Sequence, residues 1–148
     1  MAESAEEKRG REQLSRMAYE AQLLQGQGRA LEQQVGMLAE GAAQLSAALE
    51  SLKSLKSGGG AALVPLGGGA MAKADIRGGE SVLIDVGAGV VVEMGLDEAV
   101  STVDKRLKDA ERTKAGAERD MLTLTRRLQV IDSEARGLMQ KLNIMPGE

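Results

Sequence analysis

Apolar residues recur at alternating spacings of 3 and 4 along both ends of the chain, without a skip. The first ladder runs Leu14, Met17, Ala21, Leu24, Gly28, Leu31, Val35, Leu38, Ala42, Leu45, Leu49 and Leu52. The second runs Val100, Val103, Leu107, Ala110, Lys114, Ala117, Met121, Leu124, Leu128, Ile131, Ala135, Leu138, Leu142 and Met145. A sustained 3.5-residue period is the seam of a coiled coil. Only Gly28 and Lys114 lack an apolar side chain in these 26 positions, so two long helices are predicted. The first starts between Ser4 and Arg11 and ends near Ser57, where Gly58, Gly59 and Gly60 stop it. The second opens near Gly95 to Asp97, with Asp97 and Glu98 at the positive end of its dipole, and runs to about Asn143, before Pro146 and Gly147.

Between the helices the period changes from 3.5 to 2, which marks strands. Residues 62–66 (ALVPL) turn at Gly67–Gly69 into 70–76 (AMAKADI), and 81–86 (SVLIDV) turn at Gly87–Gly89 into 90–94 (VVVEM). These are two hairpins. Pro65 cannot donate a ladder hydrogen bond, so the first strand is expected to lie at an edge or pair on one side only. Val82, Ile84 and Val86 alternate with Leu83, and Val90 and Val92 with Val91, so both faces carry apolar side chains. Strands of that kind belong in a sandwich or a closed barrel, and four short ones are marginal by themselves. Assembly with other subunits is expected. The predicted class is mainly α with a small β part, divided into an N-terminal helix (1–57), two β-hairpins (58–95) and a C-terminal helix (96–148) that pairs back on the first.

Ladders of nearly equal length imply an antiparallel hairpin of helices. With Leu52 near Val100, facing residues total about 152 for equal rise on both helices, so Leu142 and Met145 face Gly10 and Glu7. That stretch, EEKRGRE, has no apolar side chain to cover them. The arm is therefore expected to end in an exposed apolar tip, with a slip of the register by one heptad left open. Gly26, Gly28, Gly36 and Gly41 weaken the first helix by on the order of 1 kcal/mol each relative to Ala, so it depends on its partner.

Composition narrows the chemistry. The 148 residues include one aromatic, Tyr19, and neither Cys nor His, which removes thiol nucleophiles, imidazole bases, disulfides and most zinc sites. Net charge is −3, with 7 basic and 8 acidic groups in residues 1–57 and 10 of each in 96–148. Such interleaving lacks the basic stripe of a nucleic-acid binder. The charged start and the absence of an apolar run of roughly 18 to 20 residues argue against a membrane span or signal peptide and for a cytoplasmic protein.

Two glycine clusters invite a nucleotide reading and fail it. Gly67–Lys73 lacks the GK[ST] ending of a phosphate loop, and Gly87-Ala88-Gly89 leads into a strand where a dinucleotide fingerprint needs a helix. Neither an enzyme, a metal site nor a cofactor is expected. Lys114 reads as a register or bending point whose ammonium snorkels toward Glu111 or Glu118.

The order long helix, two hairpins, long helix, together with Leu63-Val64-Pro65-Leu66-Gly67 and Val86-Gly87-Ala88-Gly89-Val90-Val91-Val92-Glu93, resembles the archaeal α-type subunits of the prefoldin family, with its "VPLG" and "VGxGxxVE" segments. Gly95-Leu96-Asp97 departs from the Thr or Ser cap that relatives more often carry. The resemblance implies a hexamer of two α and four β subunits whose strands close into a β-barrel body, with Leu63, Val64, Leu66, Val82, Leu83, Ile84, Val86, Val90, Val91 and Val92 serving assembly. It further implies an ATP-independent holdase that takes unfolded client proteins at its coiled-coil tips and passes them to a group II chaperonin. The candidate client surface is Leu14, Met17, Tyr19, Leu138, Met139, Leu142, Ile144 and Met145. Leu14, Met17 and Leu138 each have a seam partner and are better explained as plain seam residues, whereas Ile144 and Met145 lack one and favour the client surface. Tyr19 lies off the seam. A structural tether or scaffold would share arms and strands but would not need an uncovered tip.

Overall fold

A computed structural model describes residues 3–77, 79 and 81–143. The element order is α1 (Ala5–Lys56), β1 (Gly60–Gly67), β2 (Ala70–Ile76), β3 (Ser81–Gly87), β4 (Val90–Gly95) and α2 (Leu96–Lys141). The chain divides into two compact units, one of Leu38–Arg112 and one of Met1–Met37 with Thr113–Glu148. Both helices therefore contribute to both units.

Helix α1 begins with a capping box. The Ser4 hydroxyl accepts from the Glu7 amide at 3.1 Å while the Glu7 carboxylate accepts from the Ser4 amide at 3.0 Å, which satisfies two of the donors that any helix start leaves free. In this distal unit the seam follows the register expected for equal arms. A Cβ at Gly28 would lie 3.4 Å from Leu124 Cδ2, and one at Gly10 would lie 2.5 Å from Leu142 Cδ1; the residue numbers of both pairs total 152. Ala117 and Ile131 are buried. Lys114 Nζ lies 3.7 Å from Glu118, one of its two expected partners.

In the other unit, strands pair only as sequential hairpins. β1 pairs antiparallel with β2, and β3 with β4, in two separate two-stranded sheets. Each ladder slips by one residue before its turn, at Leu66 and at Val86. The second turn places Ala88 at φ 53° and Gly89 at φ 74°; two left-handed residues in succession suit the right-handed twist of a tight hairpin. Pro65 sits opposite Met71 in a strand that pairs on one side alone.

The hydrophobic core lies where β3 and β4 meet the helices. Leu49, Leu52, Ala99 and Val103 are buried, and Val82, Ile84, Met94 and Leu96 pack against them. Lys56 and Asp97 form an ion pair between the end of α1 and the start of α2. A further link runs from the Arg106 guanidinium, which donates to the Asp85 carbonyl at 2.8 Å. The first hairpin adds no buried side chain to this cluster.

Candidate functional site

Two surfaces carry the residues singled out from the pattern. The first is the distal end of the helix pair. Leu14, Met17, Leu138, Met139 and Leu142 are all half-buried there, and Tyr19 is exposed. Ile144 and Met145 lie outside the described residues. Leu14, Met17 and Met139 line one shallow groove with Ala21, Leu128 and Ile131, so a methionine from each helix meets at the same place. Leu138 and Leu142 line another, more polar hollow with Ser4, Glu7, Gly10 and Gln13. Leu142 spreads its methyl groups over the bare backbone of Gly10. Its cover is main chain, not an apolar side chain.

Half-burial of this kind has a chemical meaning. Each exposed part of a leucine or methionine retains an unrealised transfer free energy of roughly 25 cal/mol per Å². Unbranched Met17 and Met139 adapt their shape to whatever covers them. Above them, Arg127 clamps Glu20 with two bonds, Nε to Oε1 at 2.8 Å and a guanidinium nitrogen to Oε2 at 3.1 Å. The hydrogen bonds from Arg127 hold the Glu20 carboxyl below its ordinary range, and those to Glu20 raise Arg127 in turn. This clamp ties α1 to α2.

The second surface is formed by the hairpins. Val82 and Ile84 are half-buried against the core, while Leu83 between them is 71% exposed. Val86, Val90, Val91 and Val92 are exposed as well. On the first hairpin Leu63 is 62% exposed, with Val64, Leu66, Met71 and Ile76 also open. An unpacked two-stranded hairpin with apolar side chains on both faces is not stable as a free element in water, and contiguous exposed apolar surface marks an interaction site.

The pattern missed three contributors. Ala99 is fully buried one position ahead of the Val100 rung, and Met94 and Leu96 pack where strand gives way to helix. The only signal for them is their position at that junction. Among the described residues, no three His, Cys, Asp or Glu are grouped to hold a metal ion, and no helix is long and apolar enough to cross a membrane.

The architecture has known counterparts. The family model described as "Prefoldin subunit" matches residues 24–141. Prefoldin subunit alpha of Pyrococcus horikoshii is 31% identical over 132 residues, covering 87% of this chain and 89% of that relative. Its namesake in Thermococcus onnurineus is 39% identical over 101 residues, covering 66% of this chain and 69% of the relative. A chain of a filamentous PFD from Methanocaldococcus jannaschii, solved by cryo-electron microscopy, has the same fold, with a TM-score of 0.65 at 24% identity over 79% of this chain and 98% of that one. With helices, hairpins, the family match over most of the chain and archaeal α subunits in agreement, the chain belongs to the prefoldin family.

Proposed function

We propose that this subunit works as an ATP-independent holdase, binding unfolded proteins at the distal ends of its helices and releasing them to a group II chaperonin. As a prefoldin subunit it is a component of a chaperone rather than an enzyme. The observation that carries the reading is the incomplete burial of Leu14, Met17, Leu138, Met139 and Leu142 at the distal end. Unfolded chains share apolar character and little else, so a surface of adaptable side chains with residual exposure is the kind that recognises them.

Assembly follows from the other surface. The exposed apolar faces of both hairpins, Leu63, Val64 and Leu66 on one and Leu83, Val86, Val90, Val91 and Val92 on the other, join β-type subunits in a hexamer of two α and four β, with Val82 and Ile84 backing the second sheet on the core. Several distal ends around one cavity then raise the effective concentration of sites, so avidity exceeds the affinity of one end by about 100-fold or more. On this reading the complex works in the cytoplasm. The test is to co-assemble the chain with a β-type subunit and follow aggregation of a chemically unfolded protein by light scattering without nucleotide. Removing residues 1–12 and 139–148 should leave assembly intact and weaken the suppression. A correctly assembled full-length complex that never suppresses aggregation would instead favour a tether.

A further inference from the structure

The distal unit carries an apolar groove of about 590 Å³ away from its end, with Leu24, Leu31 and Leu124 as its floor. Counting Leu14 and Val100 as position a, the floor residues are d positions, and the walls are g (Gln27, Gln34, Asp120, Arg127) and c (Ala30, Thr123). The groove thus lies along one flank of the helix pair. Beside it in the seam stands Gly28, the a position between Leu24 and Leu31, which has no side chain. Leu124 comes within 3.4 Å of where the Cβ would stand.

The flank stays apolar one heptad further in each direction. The neighbouring c positions are Leu23 and Met37 on α1 and Gly116 and Val130 on α2, and none of the six c positions across this stretch is charged. Leu23 is 51% exposed, Met37 69% and Val130 44%. An uncharged c row beside a seam gives a helix pair a second packing face, the kind that receives a third helix. Small Ala30, Gly116 and Thr123 allow close approach.

Charge and length define the occupant. Of the two ionised groups on the rim, Arg127 is committed to Glu20 by its two hydrogen bonds. The Asp120 carboxylate has no hydrogen bond or ion pair among the described residues. The rim therefore offers one unneutralised negative charge. From Leu23 to Met37 a helix advances about 21 Å, room for roughly four turns of a partner. An extended strand would find no sheet edge to pair its amides along this flank, whereas a helix satisfies its own. We propose that this flank docks an amphipathic helical segment of about 15 residues, apolar on one face and carrying a Lys or Arg near one end to meet Asp120. The site goes beyond the distal client surface and does not depend on it.

The full-length chain provides the test. A fluorescent 15-residue peptide with a leucine face and one terminal lysine should raise its anisotropy on binding. Ala30→Arg with Thr123→Arg, which lays two long side chains across the groove from exposed positions, should weaken that binding at least ten-fold with an unchanged thermal melt. Asp120→Lys, on the open rim, should weaken it several-fold, and a peptide with Glu in place of its Lys should recover the loss. Removing residues 139–148 should leave the affinity unchanged. Absence of binding, or binding that survives both groove variants and vanishes with the distal truncation, overturns the proposal. Self-association in sedimentation that the double variant abolishes would also overturn it, by showing that a second copy of the chain takes the flank.

Discussion

Single residues set the stability of the helix pair in opposite directions. Gly36 has open space where a Cβ would be, so Gly36→Ala should stabilise the chain by about 1 kcal/mol, read from a thermal or urea melt. Gly10→Ala has the same intrinsic gain but should show none of it. The new methyl would stand 2.5 Å from Leu142 Cδ1 and force that side chain off the backbone it covers; faster amide exchange near Leu142 would report the loss. The Glu20–Arg127 clamp has its own signature in acid. Because Arg127 lowers the Glu20 carboxyl, its stabilisation is present above the ordinary carboxylate range and is lost as pH falls through the lowered value. Glu20→Gln should therefore flatten the decline of melting temperature below about pH 4.5. In high salt the two proteins should converge, since the pair is exposed.

At the scale of elements, the helices and strands have different dependencies. Leu49→Ala should cost about 2 to 5 kcal/mol, because it opens a cavity in the cluster that holds the second hairpin against the helices. Equilibrium unfolding measures it. The elements themselves were legible in the pattern, since the change from a 3.5 to a 2-residue period falls within a few residues of each strand and helix end. Register was legible only to within one heptad, and the Gly28–Leu124 and Gly10–Leu142 pairs fix it. Ala99, Met94 and Leu96 were not legible. Where a strand feeds directly into a helix, neither period governs burial, and the geometry of the junction decides which side chains are enclosed. The flank groove was hidden for a related reason. Leu24, Leu31 and Leu124 read in the ladder as ordinary rungs, and only their placement beside the g and c residues of both helices makes a groove. Ile144 and Met145, the pair that pattern reasoning favoured most for clients, fall outside the described residues.

For the whole molecule, the proposed assembly role of the exposed hairpin faces can be tested apart from folding. Leu83→Lys together with Val91→Lys changes two open positions on the second hairpin. The melt of the isolated chain should move by less than about 1 kcal/mol, while co-elution with a β-type subunit on size exclusion should be lost. Equal loss of both would show that the hairpin stabilises the chain by itself. A last consequence concerns light. The sequence has no tryptophan, and its one aromatic, Tyr19, stands exposed on the distal unit. Excitation selective for tryptophan would illuminate a client and leave this subunit dark, so the emission of a captured chain can be followed without any label. Tyr19 itself is a native reporter confined to the same unit as the proposed capture surface.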